Sequence, residues 1–300
     1  MTEDIEYIFV NDCTLDNSIQ ILKDVIKNYP QLSQQIIIEN MPENGGQGVA
    51  RNRGIELASG EYIICLDPDD WAEPTMLEEM YQKAISGNHD IVIADYLEEF
   101  GERTKTRSQR PNSLKGIHCM NQIVSDCLHG ALWNKLIKRD LFTSNRIIVP
   151  KKGMNVLEDM MITSQLMFFA KNIGYMNKAY YHYCIRKGSS LFTKSKNKYI
   201  SMLYAYDFIE KFYKTNNIKD NASLKALRLL RISTLSNVSL EGYKYKLVDF
   251  NNYKHLRPYI MKHPAKSRSY KISLFLRVSD LNTLANLYIF LRKITRTKKL

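Results

Sequence analysis

The 300-residue sequence has five cysteines, Cys13, Cys65, Cys119, Cys127 and Cys184, and none belongs to a CxxC pair. So few cysteines, odd in number and scattered, exclude a disulfide framework and a cysteine zinc site, and they fit a reducing, cytoplasmic setting. The six histidines lack the spacing of metal ligands as well. The start, MTEDIEYIFV, has no basic region, long apolar stretch or small-residue cleavage site, so no secretory leader is expected. No stretch of about eighteen residues is apolar and uncharged, so no membrane-spanning helix is expected either. Internal repeats and low-complexity segments are also missing.

Charge is present in excess, at +12, but it is unevenly placed. Residues 243–300 hold 14 Lys or Arg against two acids, Asp249 and Asp280, so the rest of the chain balances to zero. The basicity is therefore a property of the tail, and without any nucleic-acid reader motif beside it no nucleic-acid partner is expected. Within that tail Leu274, Val278, Leu281, Ala285 and Tyr288 recur at helical spacing ahead of RKITRTKKL. A basic amphipathic helix of this kind can lie in an anionic membrane surface, which would make the protein peripheral on the inner face of the cell membrane. The same pattern also fits a helix docked on its own domain, followed by a solvated tail.

Short, nearly continuous apolar runs at 5–10, 36–38, 62–66 and 91–94 read as buried parallel strands. Helix-length stretches at 18–28, 49–58 and 75–86 alternate with them. The pattern predicts an α/β fold, a Rossmann-like, mostly parallel sheet flanked by helices, with a mainly helical C-terminal region. The polar stretch GERTKTRSQRP, 101–111, predicts a surface loop or boundary. Beyond it, 131–143, 160–170, 197–213 and 222–240 predict helices, and 174–185 predicts one or two tyrosine-rich strands. The organisation expected is a nucleotide-binding part at 1–100, a second functional part at 101–195 and a basic helical region at 196–300.

The segment LDPDDW sets Asp67, Asp69 and Asp70 directly after a strand, where α/β sheets bind their ligands. Two carboxylates one residue apart can face one crevice, and hard oxygen ligands suit Mg²⁺ or Mn²⁺ on a diphosphate. Taken alone, Asp-x-Asp is more often turn and cap chemistry.

The residues before it, NGGQGVARNRGIELASGEYIICLDPDDW, resemble the second family of inverting glycosyltransferases, which has the GT-A fold. Its pattern N-x-G-x-x-x-A-R-N-x-G, A-x-G-x-Y-I and L-D-x-D-D is matched by Asn44, Gly46, Ala50, Arg51, Asn52, Gly54, Ala58, Gly60, Tyr62, Ile63, Leu66, Asp67, Asp69 and Asp70. Upstream, VNDCTLDNS is similar to the family's D-D-x-S-x-D-x-S turn, with Asp12 and Asp16 kept and Asn11 in the first acid's place. The resemblance implies a nucleoside-diphosphate sugar donor, with Asp12 and Arg51 at its base, Asp67 at its ribose and Asp69 holding Mn²⁺ or Mg²⁺.

Downstream, LWNKL matches the family's W-N-K-L segment, which implies that Trp133 lies near the acceptor, a glycan or glycolipid. VLEDMM resembles its E-D motif, which implies Glu158 on the acceptor side and Asp159 as catalytic base. Inverting transfer needs one such base to take the acceptor's proton as its hydroxyl attacks opposite the leaving diphosphate. An acid pair is also favoured at a helix N-terminus by the dipole alone. YHYCIRKGSS resembles the family's Y-x-Y-R-x-R-x-x-S; Arg186 and Ser189 match, Cys184 replaces the first arginine, and Arg186 is implied at the diphosphate. The resemblance covers about residues 5–190.

The family usually opens with a further strand and helix that this chain lacks. Its absence would leave backbone groups of neighbouring strands unpaired or force those strands to close up, and it predicts either a longer natural chain or a shortened copy acting as a non-catalytic membrane-associated scaffold. The leading expectation is an inverting, metal-dependent sugar transfer in polysaccharide or glycolipid synthesis.

Overall fold

The computed structural model describes residues 5–186, 194–264 and 266–297. The chain divides into two compact units, Met1–Ile123 with Leu128–Ser189, and Val124–Cys127 with Ser190–Leu300.

The first unit runs β1 (Tyr7–Asn11), α1 (Ser18–Ile26), β2 (Ile36–Asn40), α2 (Gln47–Leu57), β3 (Tyr62–Ile63), β4 (Trp71–Ala72), α3 (Met76–Ser86), β5 (Ile91–Phe100), β6 (Arg103–Arg107), α4 (Gly116–Val124), β7 (Lys135–Lys138), α5 (Arg139–Ser144), α6 (Glu158–Phe169) and β8 (Ile173–Cys184). The class is α/β, as expected. Its strands lie in two sheets: β1 pairs with β2, and a six-stranded sheet follows the order β3-β7-β5-β8-β4, with β6 on β5. Among the described residues β1 bonds to β2 alone and β3 to β7 alone, so these two strands have not closed up on one another.

The middle of the large sheet is β5, whose Ile91–Tyr96 segment is buried throughout. Val92, Ala94 and Tyr96 pack with Met76, Met80 and Ala84, three residues at four-residue spacing on α3. Glu78 and Glu79 in the first turn of α3 suit the positive end of its dipole.

Strand direction departs from the expectation of parallel pairing. β1–β2 and β5–β8 are parallel, but β3–β7, β5–β7, β4–β8 and β5–β6 are antiparallel. Apolar runs report burial and not direction; direction follows from the connections. β5 and β6 form a hairpin closed at Gly101, φ +61, which must be antiparallel, whereas the long helical passage from β5 to β8 permits a parallel pair. This hairpin occupies much of the stretch expected as a loop, and it extends β5 to Phe100. Burial also differs: β1 is only half-buried, and Phe9 is exposed. The helix expected over 131–143 is a loop, the strand β7 and the short helix α5: Lys135, Leu136 and Ile137 are buried in succession, as in a strand covered on both faces.

The second unit is helical: α7 (Lys196–Thr215), α8 (Asn221–Asn237), a π turn at Val238–Gly242, α9 (Arg257–Ile260), α10 (Arg268–Val278) and α11 (Asn282–Thr297). Ser195 and Asp220 cap α7 and α8 by accepting from the Lys198 and Ser223 amides. Leu274, Val278 and Ala285 are fully buried. They form an inward face, while Leu281, Leu284, Leu287, Phe290, Leu291 and Ile294 point to solvent. Asp280, φ +63, separates α10 from α11. Among the described residues no helix is long and apolar enough to cross a membrane.

Candidate functional site

The site gathers at the ends of strands and helices of the first unit. After β1, Asp12 turns its carboxylate toward the start of α2, where it accepts from the Gly45 and Gly46 amides at 2.7 and 2.8 Å. Asn44 returns a bond from its side-chain amide to the Asp12 carbonyl at 2.8 Å. Gly46 is the residue this turn requires. Its φ of +87 and ψ of 163 are open only to glycine, and a Cβ there would meet the Asn155 side chain at 2.5 Å.

One turn into α2, Arg51 reaches the centre of the site with its side chain only 7% exposed. Its guanidinium donates to Asp159 and, at 2.9 Å, to Asp67, and it stands 3.9 Å from Glu158. Three carboxylates from two distant segments thus share one cation. Burial works against the Arg51 charge, but Asp159, Asp67 and Glu158 hold its pKa above the ordinary arginine value. Burial pushes the Asp159 carboxyl up to about 7 against the opposing pull of Arg51. Glu158 is raised as well, again chiefly by burial. Gly48 leaves ordinary contact room, 3.6 Å, for the Glu158 side chain. Burial also lifts the Cys65 thiol to about 12, so it is a neutral group here and not a nucleophile.

The LDPDDW segment divides its three acids among three tasks. Asp67 bonds Arg51 and accepts from the Gln47 amide at 3.3 Å. Asp70 turns inward, accepting from the Tyr181 hydroxyl at 2.8 Å and the Cys184 amide at 2.7 Å. Asp69 is exposed; its carbonyl accepts from Arg186 at 2.6 Å, and among the described residues none of its hydrogen bonds engages the carboxylate. Among the described residues no three His, Cys, Asp or Glu could hold a metal between them. The open Asp69 carboxylate fits a hard divalent cation whose remaining ligands come from a phosphate-bearing substrate.

The structure thus brings Arg51, Asp67, Glu158 and Asp159 into contact, links Asp12 to them through the start of α2, and joins Arg186 to Asp69. Trp133 stands apart. It is 3% exposed, stacked on Tyr181 at 4.4 Å and Tyr183 at 5.7 Å, with the edge of Tyr96 at 4.8 Å. The structure sets it in the aromatic core, where it supports Tyr181 and, through it, Asp70. Ser189 lies outside the described residues.

Sequence reasoning missed Tyr181, whose hydroxyl also accepts from the Asp67 amide at 3.1 Å. The period-two run YYHYC was the available signal. It also missed the confinement of Lys135, whose buried ammonium donates to the His129 and Ala131 carbonyls and the Asn134 side chain at 2.7 to 2.9 Å. Burial pushes that amine down to about 7, opposed by Asp159. A separate cavity of about 250 Å³, lined by Asp90, Lys138, Asp140 and Lys171 among others, contains none of these residues. Its acids and lysines balance, and the chemistry is better carried by the Arg51 cluster.

Known proteins share the sequence and the fold of this chain. Residues 1–145 match Glycosyl transferase family 2. EpsH of Bacillus subtilis (strain 168), assigned as a glycosyltransferase, is 31% identical over 220 residues, covering 72% of this chain and 62% of EpsH. The chain therefore spans less than two thirds of that relative's length. TarP of Staphylococcus aureus (strain N315), a poly(ribitol-phosphate) beta-N-acetylglucosaminyltransferase, is 27% identical over 289 residues, covering 91% of this chain and 84% of TarP. The crystal structure of S. aureus TarS 1-349 in complex with UDP-GlcNAc shares the fold, with a TM-score of 0.60 at 19% identity over 96% of this chain and 80% of that one. These matches place the similarity to Glycosyl transferase family 2 in residues 1–145, the stretch that holds Asp12, Arg51 and the LDPDDW segment.

Proposed function

We propose that this protein transfers a sugar from a nucleoside-diphosphate donor to an acceptor hydroxyl with inversion at the anomeric carbon, in the synthesis of a polysaccharide or glycolipid. The observation that carries the reading is the junction of Arg51 with Asp67, Glu158 and Asp159, which unites the donor-side segment with the expected base in one partly buried cluster.

In this reaction Asp159 accepts the proton of the acceptor hydroxyl as that oxygen attacks the anomeric carbon. The bond to the diphosphate breaks, and the nucleoside diphosphate leaves. A carboxylate held near neutral pKa is both ionised at working pH and basic enough for the task. Arg51 orients Asp159 and Asp67 together, and Asp12 shapes the turn of amides at Gly45 and Gly46 that borders the donor. Arg186 fixes the Asp69 main chain so that its carboxylate stays outward. Asp69 is the residue that would hold Mn²⁺ or Mg²⁺, and a cation there would neutralise charge on the leaving diphosphate.

The exposed apolar face of α11 and the basic C-terminal segment support a cytoplasmic enzyme docked on an anionic inner membrane face, where a glycolipid acceptor would be at hand.

The decisive experiment is release of nucleoside diphosphate from a panel of nucleotide sugars with Mn²⁺ present. Turnover of at least one donor, reduced about 100-fold or more in Asp159→Asn and in Asp69→Ala, is expected. Full turnover in Asp159→Asn, or none with any donor, overturns the reading.

A further inference from the structure

The chain has two tryptophans, and the structure treats them oppositely. Trp133 is buried, while Trp71 is 51% exposed although it follows Asp70 directly and pairs in β4 with β8. Exposure of so large an apolar ring, one residue beyond an inward-turned acid and two beyond the outward Asp69, has no packing explanation.

The ring is held, not loose. His182, its register partner on β8, lies flat against one indole face, with centroids 3.4 Å apart and planes 14° from parallel. His182 is in turn clamped at both ring nitrogens, by Glu99 at 2.6 Å and Glu73 at 3.1 Å. Glu99 is fixed again by the Thr104 hydroxyl at 2.6 Å, on the hairpin strand β6. The indole therefore has one face sealed by a ring that cannot turn, and half its surface in solvent. Such an arrangement serves a flat apolar partner that arrives from solution, and it does so with little entropy left to lose on binding.

A pyranose ring meets that description. One of its faces presents a patch of C–H groups able to lie on an aromatic face, while its hydroxyls remain free for polar partners at the rim. One such partner is the Glu73 side chain, 43% exposed and two residues beyond Trp71. An acyclic polyol offers no such flat face. We propose that the open face of Trp71 is the stacking platform for a pyranose ring of the acceptor, positioned by the His182–Glu73–Glu99 clamp. The assignment rests on the sugar-transfer reading above, and it moves acceptor recognition from Trp133 to Trp71.

The two tryptophans make the test direct, because acrylamide reaches the exposed indole and not the buried one. Quenching of intrinsic fluorescence is measured in the full chain with a nucleoside diphosphate and Mn²⁺, with and without the methyl β-pyranosides of glucose, galactose and N-acetylglucosamine, and with ribitol as the acyclic comparison. At least one pyranoside is expected to lower the quenching constant about twofold, as a stacked ring shields one face of the indole, with ribitol inert. Trp71→Phe should abolish the response while the Trp133 emission remains as evidence of folding. Unchanged quenching with every pyranoside, or protection by ribitol alone, overturns the proposal. A donor-induced rise in melting temperature, measured on the same samples, separates the two failures: no rise with any nucleotide sugar counts against the sugar-transfer reading, and a rise without shielding counts against the platform alone.

Discussion

At the scale of single residues, the site is governed by one buried cation and the acids that surround it. Arg51 lowers the proton affinity of Asp159 while burial raises it, and burial prevails, leaving the carboxyl at about 7. The base must be ionised to accept a proton. Transfer measured as kcat/KM should therefore fall about tenfold per pH unit below about pH 7 and level off above it. The pH-rate profile with a saturating divalent cation checks this, and a limb centred near the ordinary aspartate value would detach the base from Asp159. The same shift has a cost in stability. Because folding raises this pKa above 3.8, the native state holds the proton more tightly, so the contribution to stability is full at acidic pH and is lost as pH rises through about 7. Trp133 illustrates how a motif residue can act at a distance: it packs on Tyr181, and Tyr181 holds Asp70 and the Asp67 amide.

At the scale of elements, the turn into α2 carries the most constraint. Gly46 has a backbone conformation closed to other residues, its amide is bonded to Asp12, and its Cα faces Asn155. Gly101 also has positive φ, but open space surrounds it. Gly46→Ala should destabilise the protein by about 2 to 3 kcal/mol, and Gly101→Ala by about 1 kcal/mol, since only the first adds a clash to left-handed strain. Urea unfolding of the two variants checks the order, and equal midpoints would count against the strain at Gly46. A second constraint lies at the start of α6, where Leu157 adopts φ +65 and so swings Glu158 and Asp159 into the site as the first residues of the helix. The acids sit at the dipole's positive end, so the structural and the chemical reasons for Glu-Asp here reinforce one another.

At the scale of the whole molecule, charge and apolar surface meet in the C-terminal segment. Leu284, Leu287, Phe290, Leu291 and Ile294 occupy one exposed face of α11, which carries no acid, and residues 243–300 hold 14 basic side chains. A second copy of this helix would bring like charges together without acids to pair them, whereas an anionic bilayer offers both an apolar layer and opposite charge. Sedimentation with vesicles containing phosphatidylglycerol should exceed that with phosphatidylcholine alone. It should fall about tenfold in Leu287→Glu with Leu291→Glu, and fall again in high salt. Equal sedimentation of the variant, or salt-insensitive binding to neutral vesicles, would remove the membrane assignment.

The sequence by itself determined the α/β class, the position of LDPDDW after a strand and the helix into which Glu158 and Asp159 lead, because fixed spacing and apolar runs are local properties that survive without a third dimension. It also placed a helical pattern in the C-terminal tail but left open whether its apolar residues meet a membrane or the protein itself; Leu274, Val278 and Ala285 are buried. Only the tertiary structure decided strand direction, since hydrophobic runs do not encode it. Nor could local pattern show which tryptophan is covered and which is open, or that Arg51 would bind acids more than a hundred residues away along the chain. Those outcomes depend on which segments meet, and the desolvation that sets the Asp159 carboxyl near neutrality exists only once they have met.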